Sequence, residues 1–161
     1  AETANVVEES ARECVRRLFR RERTGPATVT ILGMTFKENV PDFRNTRAID
    51  VVKYLKGFKA HVRVWEPHAT PVQLQKHFGV ETLLPEQAHD LDAIVLINAL
   101  LFPAEIERVL SPNGVLIWVN SSGEQTPIYL SPDDLMAALP GPWTGTSSRA
   151  GEGQWCVLRR A

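Results

Sequence analysis

The stretch ILGMTFKENVPDFRNTRAID, residues Ile31–Asp50, decides how the chain folds. Its first three residues complete the β-branched run TVTILG, which is typical of a strand buried on both faces. It also starts a helix that Thr46 can cap and Gly57 can end. In a nucleotide-binding fold a glycine-rich loop usually joins such a pair. Here a single glycine, Gly33, precedes a long, charged loop that contains a proline.

The flanking sequence repeats the strand-and-helix pattern. Before the first strand, Asn5–Arg21 has apolar residues at helical spacing, and glutamates are interleaved with its arginines. After Gly57 the predicted elements are a strand HVRVW, a short helix over Gln73–Phe78 and a central strand LDAIVLINAL. They are followed by a helix PAEIERVL ending at an SPNG turn, a strand VLIWVN and a helix SPDDLMAAL with Ser131 as its N-cap. A hairpin of PWTGTSSR and QWCVLRR closes the sequence.

Alternating strands and helices predict an α/β fold, specifically a Rossmann-like, doubly wound, mostly parallel sheet. We expect helices on both faces and a C-terminal antiparallel hairpin. We interpret residues 1–24 as a linker-type helix and residues 25–161 as a single domain. In such sheets ligands bind beyond the carboxyl ends of the strands, so the loop over residues 34–46 is the candidate site.

Composition narrows the class of protein. The 161 residues are 43% hydrophobic and carry a formal net charge of −1, so neither nucleic acid nor a membrane is an expected partner. Cys14 and Cys156 lie far apart, which indicates a reducing cytoplasm and buried packing roles. The four histidines lie on separate elements, so no metal site is expected. The strand tryptophans, Trp118, Trp143 and Trp155, are expected to pack in the core.

The loop chemistry suits an anion. Lys37 and Arg44 supply cationic donors, Asp42 can orient Arg44, and the helix that begins near Thr46 adds backbone N–H groups. A phosphate or a carboxylate would fit these groups. The alternative is that they are ordinary surface charges on an exposed loop.

This region resembles the C-terminal, UDP-binding domain of the UDP-glucose/GDP-mannose dehydrogenase family over residues 5–98. The resemblance lies in a GxxFKxxxxDxRxS/T loop and in the Trp65-Glu66-Pro67 turn that follows the second strand. It extends to GVETLLPEQAHDLDAIVL, which resembles the next helix–strand pair of that family. The loop positions are Gly33, Phe36, Lys37, Asp42, Arg44 and Thr46.

The resemblance implies a role for each loop residue. Phe36 and Lys37 would contact a UDP-sugar, and Arg44 would lie near the dinucleotide pyrophosphate. Asp42 and Thr46 would support them. NAD chemistry is implied for the family, yet the chain contains no GxGxxG and no cysteine in the family's glycine-flanked context. We therefore expect no catalytic residue and no bound cofactor in this chain alone.

The second half resembles another family. Residues 92–160 resemble the C-terminal half of a class I SAM-dependent methyltransferase in the order of their elements and in the RVLSPNG turn. In such an enzyme Gly33, Glu66 and Asn98 would lie on the cofactor side. The chain has GMTFKEN where that family has GxGxG, which argues against SAM.

Two hypotheses follow. The first is a non-catalytic Rossmann-like domain with a residual nucleotide-sugar site, and the alternative is a SAM-dependent methyltransferase or SAM-binding domain. The two resemblances meet near residues 85–98, which indicates either a recombinant or designed chimera or a divergent natural domain. Ser121-Ser122-Gly123 either lines a cleft at the same sheet edge or forms a polar loop. The N-terminal helix could pair with a second copy of the chain.

Overall fold

Seven strands form one sheet. The structure is a computed structural model that describes residues 28–32, 48–57, 59–65, 70–82, 85–97, 99–120, 122–126, 129–150 and 152–161. The strands are β1 Thr28–Leu32, β2 His61–Trp65, β3 Glu81–Thr82, β4 Leu91–Ile97, β5 Leu110–Asn120, β6 Trp143–Ala150 and β7 Gly153–Arg160. Their spatial order is β3-β2-β1-β4-β5-β7-β6.

Four α-helices connect the described strands: α1 Ala48–Gly57, α2 Pro71–Phe78, α3 Pro103–Val109 and α4 Pro132–Ala138. Two 3-10 turns cover Pro85–Gln87 and Gly123–Gln125. The Ser131 hydroxyl accepts a hydrogen bond from the Asp134 backbone N–H at 3.1 Å, so the predicted N-cap of α4 is confirmed. In the described part of the chain, no helix combines the length and apolarity needed to span a membrane.

The sheet is parallel except at one strand. β1 pairs with β2 and β4, and β4 pairs with β5, all in parallel. β7 lies antiparallel between β5 and β6. The predicted Rossmann-like α/β fold with a C-terminal antiparallel hairpin is confirmed.

Each face of the sheet has its own core. On the first face, α1 and α2 bury Val52, Leu55 and Leu74 against alternate residues of the parallel strands, such as Ile31 and Val64. On the second face, α3 and α4 pack their apolar residues against β4, β5 and β7. Trp118, Trp143 and Trp155 are all buried, as expected for core packing.

Three details differ from the predicted elements. β3 was not predicted, since a strand of only two residues has no readable alternation. The helix expected before β4 is only the 3-10 turn Pro85–Gln87. The SPNG segment lies within β5, between Leu110, which pairs with Leu91, and Val115, which pairs with Ala93, so the turn signal marks an interruption inside the strand and not its start.

Arg160, at the end of β7, binds the carboxyl end of α3. Its guanidinium donates to the backbone carbonyls of Ser111 at 2.7 Å and Glu107 at 3.3 Å, and to the Glu107 carboxylate at 3.3 Å. The same group lies 5.2 Å from the ring centroid of Trp143, whose indole N–H donates to the Pro140 carbonyl at 2.8 Å. Arg160 therefore joins the end of α3 to β6 and β7. It satisfies the Glu107 carbonyl, which the helix leaves unpaired, and the Ser111 carbonyl near the start of β5.

We expect Arg160→Ala to lower the free energy of unfolding by about 2 kcal/mol, because several charge-assisted hydrogen bonds are lost together. The free energy of unfolding of Arg160→Lys should fall between that of the unmodified chain and that of Arg160→Ala, since an ammonium cannot reproduce the guanidinium fork. Urea unfolding followed by circular dichroism measures both variants. The control is Arg159→Ala, because Arg159 is the exposed neighbour on the same strand. Equal stability of the Arg160 and Arg159 variants would contradict this role.

Substitutions at Gly123 and Gly141 allow the cost of backbone strain to be compared with the added cost of close packing. Both have positive φ, 56° and 77°. A Cβ at Gly123 would lie 2.5 Å from the Glu152 carbonyl oxygen, whereas a Cβ at Gly141 would meet nothing within 4 Å. We expect Gly141→Ala to cost about 1 kcal/mol for the left-handed backbone alone. Gly123→Ala should cost about 3 kcal/mol because overpacking adds to that strain. Equal costs in urea unfolding would show that the turn and the hairpin do not pack closely.

Candidate functional site

The candidate site lies at the carboxyl edge of the sheet, between β1 and β4. From β1 the chain builds outward through β2 to β3, and then returns to add β4 and β5 on the other side of β1. In register, Leu32 pairs with Trp65 on one side and with Leu96 on the other, so the three strands end at the same level. Such a reversal of strand order leaves a crevice between the loops that follow the two central strands.

The predicted site residues all lie outside the described residues. Gly33, Phe36, Lys37, Asp42, Arg44 and Thr46 fall in the segment 33–47, and Glu66 and Asn98 fall in later gaps. The elements on either side of these residues are described. β1 ends immediately before Gly33, α1 starts two residues after Thr46, and β2 and β4 end immediately before Glu66 and Asn98. The roles of the eight residues remain predictions.

The carboxyl end of β5 has a polar cluster that the sequence analysis missed. Asn120 is buried, and its side-chain amide donates to the Leu130 carbonyl at 3.4 Å. Tyr129 donates to the Gln154 side-chain oxygen at 3.1 Å. Burial raises the pKa of the Tyr129 phenol, and the nearby Glu124 carboxylate adds to this effect. An asparagine directly after the apolar run VLIWV was the available signal for a buried polar group.

The Ser121-Ser122-Gly123 segment belongs to this end of β5. Ser122 lies in a turn where its backbone N–H donates to the Thr126 hydroxyl at 3.2 Å, and Gly123 is buried. Ser121 lies outside the described residues. Ser122 therefore takes part in a local turn that ends the strand.

The sequence analysis also missed an apolar cavity. On the second face, a cavity of about 300 Å³ lies between α3 and the strands β1 and β4. Thr30, Ile94 and Leu96 form its floor, and Phe102 and Ile106 belong to its wall. The Thr30 hydroxyl is buried and has no hydrogen-bond partner among the described residues. No sequence signal marked this cavity, because it arises from how α3 lies over the sheet.

Cys156 does not have the environment of a nucleophile. It is buried in β7, and burial raises the pKa of its thiol to about 11. The neutral thiol therefore predominates near neutral pH, in keeping with the predicted packing role. Cys14 lies outside the described residues. Within the described ranges, no three histidine, cysteine, aspartate or glutamate side chains are grouped closely enough to hold a metal ion.

Sequence comparison relates the first half of the chain to known proteins. Residues 30–100 match the UDP binding domain of the UDP-glucose/GDP-mannose dehydrogenase family. A UDP-N-acetyl-D-glucosamine 6-dehydrogenase from Salmonella typhi is 39% identical over 70 residues, which cover 44% of this chain and 16% of that protein. The matched segment is thus about a sixth of the length of that relative. The family match over residues 30–100 includes the segment 33–47.

Structural comparison shows the fold of the whole chain. A TehB-like SAM-dependent methyltransferase from Corynebacterium glutamicum superposes with a TM-score of 0.57 at 15% identity, covering 94% of this chain and 87% of that one. A methyltransferase from Geobacter sulfurreducens gives a TM-score of 0.56 at 14% identity, covering 100% and 80%. Over residues 30–100 the sequence of the chain is therefore similar to the UDP binding domain of nucleotide-sugar dehydrogenases, whereas its fold is one that it shares with methyltransferases.

Proposed function

We propose that this chain binds a nucleotide sugar of the UDP-sugar class at the carboxyl edge of its sheet. One observation carries the proposal: the match to the UDP binding domain includes the cationic loop that directly follows β1. The strand order supports it, because β1 and β4 flank the crevice at which the chain reverses direction across the sheet.

The residues at this edge suit a pyrophosphate. Lys37 and Arg44 supply positive charge, and α1 begins at Ala48, directly after the loop. The amino end of a ten-residue helix adds unpaired backbone N–H groups and the positive end of its dipole. In this proposal Phe36 and Lys37 contact the sugar nucleotide, while Asp42 orients Arg44 and Thr46 caps the helix. Glycine backbone does not form the cradle here, and side chains hold the phosphates.

The proposed activity is binding without catalysis in these 161 residues. The buried, neutral thiol of Cys156 is unsuited to nucleophilic attack. The sequence contains no GxGxxG for NAD and no GxGxG for SAM. Neither cofactor is therefore expected to bind this chain alone, and any dehydrogenase chemistry would require groups beyond it.

The origin we propose is a chimera of two Rossmann-like halves, acting in the cytoplasm. The sequence match to nucleotide-sugar dehydrogenases ends at residue 100, near the end of β4, while the methyltransferase-like fold continues through β5, β7 and β6. A junction near residues 85–98 would lie at β4, a strand that both parental folds contain.

We expect isothermal titration to show binding of UDP and UDP-N-acetylglucosamine and no heat change with S-adenosylmethionine. Lys37→Ala and Arg44→Ala should each weaken UDP binding at least tenfold, because each removes a charge-assisted contact to phosphate. Binding should also weaken as salt rises, since the contacts are electrostatic.

The control variant is Lys53→Ala, which removes an exposed lysine of α1 outside the loop. It should bind UDP as the unmodified chain does. Unchanged affinity in Lys37→Ala would contradict the assignment of the loop, and tight binding of S-adenosylmethionine without UDP binding would overturn the proposed function.

A further inference from the structure

The two edges of the sheet differ in length. β3, at one edge, consists of Glu81 and Thr82 alone. β6, at the other edge, has eight residues, and among the described strands only β7 pairs with it. Proteins usually protect a sheet edge by making its strand very short, or by placing lysine, proline or a bulge on it. Its short length protects β3, whereas β6 does not have this protection.

The sequence of β6 also lacks the other protective features. The strand reads WTGTSSRA, which contains no proline and no lysine, and Arg149 is its only charged residue. Its register with β7 is uninterrupted over the whole strand, so no bulge bends the edge. Every residue from Thr144 to Arg149 is exposed. The outer edge of β6 is therefore long, regular and accessible to a partner.

One hydrogen bond shows which backbone groups of β6 point outward. The Pro142 carbonyl, directly before β6, accepts from the Ala161 backbone N–H at 3.0 Å, so the backbone of Pro142 faces the β7 side. In an antiparallel pair, successive residues direct their backbone groups alternately toward and away from the partner strand. The residues whose backbone N–H and C=O groups point away from β7 are therefore Trp143, Gly145, Ser147 and Arg149.

We propose that the outer edge of β6 pairs antiparallel with β6 of a second copy of this chain. A twofold axis beside Thr146 would join the two seven-stranded sheets into one continuous sheet. In this register Gly145 lies opposite Ser147 of the partner subunit, and Trp143 lies opposite Arg149 of the partner subunit. All four outward-pointing residues of each copy then exchange backbone hydrogen bonds, which gives about eight bonds across the axis.

The side chains of β6 are complementary to their own copies in this register. Trp143 packs in the core of the second face, so by alternation Thr144, Thr146 and Ser148 lie on the first face. There Thr144 meets Ser148 of the partner subunit and Thr146 meets its own copy, and hydroxyl pairs of this kind stabilise neighbouring strands. On the second face Arg149 meets the Trp143 ring of the partner subunit. The one charged side chain of the strand thus faces an aromatic ring and not a like charge.

The length of the strand sets the strength of this contact. Eight residues at about 3.4 Å each span roughly 27 Å, and only one strand edge of each copy takes part. Such a contact buries less than the ~1,200 Å² that is typical of stable complexes. We therefore expect a reversible dimer with a Kd on the order of 100 μM, which forms as the concentration of the chain rises.

Sedimentation velocity of the 161-residue chain tests the dimer. Between about 5 and 500 μM, the sedimentation coefficient should rise from that of a monomer toward that of a dimer. Ser147→Pro should weaken dimerisation at least tenfold, because proline removes an outward N–H and leaves the hydrogen bonds to β7 in place. The matched control is Ser147→Ala, which keeps this N–H and should dimerise as the unmodified chain does.

Cysteine variants test the register, with Cys14→Ser as the common background. Under mild oxidation Thr146→Cys should form a disulfide-linked dimer, because residues opposite each other in a non-hydrogen-bonded pair have Cα atoms about 4.5 Å apart. Ser148→Cys, on the same exposed face, should stay uncrosslinked, since its two copies lie roughly 14 Å apart along the strand. Mixing Thr144→Cys with Ser148→Cys should give crosslinked heterodimers. Electrophoresis without reducing agent measures all three results.

Three outcomes would overturn the proposal. The first is a monomer at every concentration. The second is equal dimerisation of Ser147→Pro and Ser147→Ala, the result expected if the copies pair through residues 5–21 instead. The third is equal crosslinking of Thr146→Cys and Ser148→Cys. The cysteine variants retain the backbone N–H at each position, so the proposal stays testable even if the proline variant does not fold.

Discussion

The parallel pairing of β1 with both β2 and β4 is the constraint on which the rest of the structure depends. Because β1 has a neighbour on each side, the chain must build outward in one direction, return, and build outward in the other. The return places the carboxyl ends of β1 and β4 side by side, the position at which sheets of this kind bind ligands. At the other end of β1, the Asp92 carboxylate accepts from the backbone N–H of Thr28 at 2.8 Å and from its hydroxyl at 3.0 Å, which fixes the relative height of the two strands.

The two faces of the sheet differ in how their cores are made. On the first face Val29, Ile31, Val62 and Val64 supply a continuous apolar surface that α1 and α2 cover. On the second face β1 presents Thr30, and β2 presents Arg63 and Trp65. A surface that mixes polar and apolar residues packs against a helix only where neighbouring elements supply further apolar side chains. The edge of α3 provides them here, and the apolar cavity accordingly lies beside α3, with Thr30 of β1 and Trp65 of β2 among its lining residues.

Strand and helix identity could be predicted from sequence because local chemistry decides it. TVTILG, LDAIVLI and VLIWVN are β-branched or apolar runs of strand length, and Ser131-Pro132 is a strong helix start. Strand order could not be predicted in the same way, because it depends on contacts between residues far apart in the chain. The insertion of β7 between β5 and β6 has no local signal. The start of β5 at Leu110 was hidden by the SPNG turn signal, since Leu110 pairs with Leu91 before the turn and the apolar run VLIWVN begins after it.

For the candidate site, the sequence predicts a chemistry but no geometry. Lys37 and Arg44 predict an anion site by their charge and by their position after a strand, whereas the distances between them depend on the fold of a 15-residue segment outside the described structure. Asn120 and Tyr129 show the opposite case, because their contacts are clear in the structure, while neither belongs to a recognisable motif.

The position of β7 in the sheet has a consequence for synthesis. β5 has no partner on one side, and β6 has none at all, until Gly153–Arg160 has left the ribosome. The first half of the sheet can form while the chain is still growing, whereas the second half must wait for its last strand. During that interval the open side of β5 is an apolar edge that could pair with another nascent chain. The pairing of β7 with β5 and β6 therefore covers an apolar edge as well as completing the sheet.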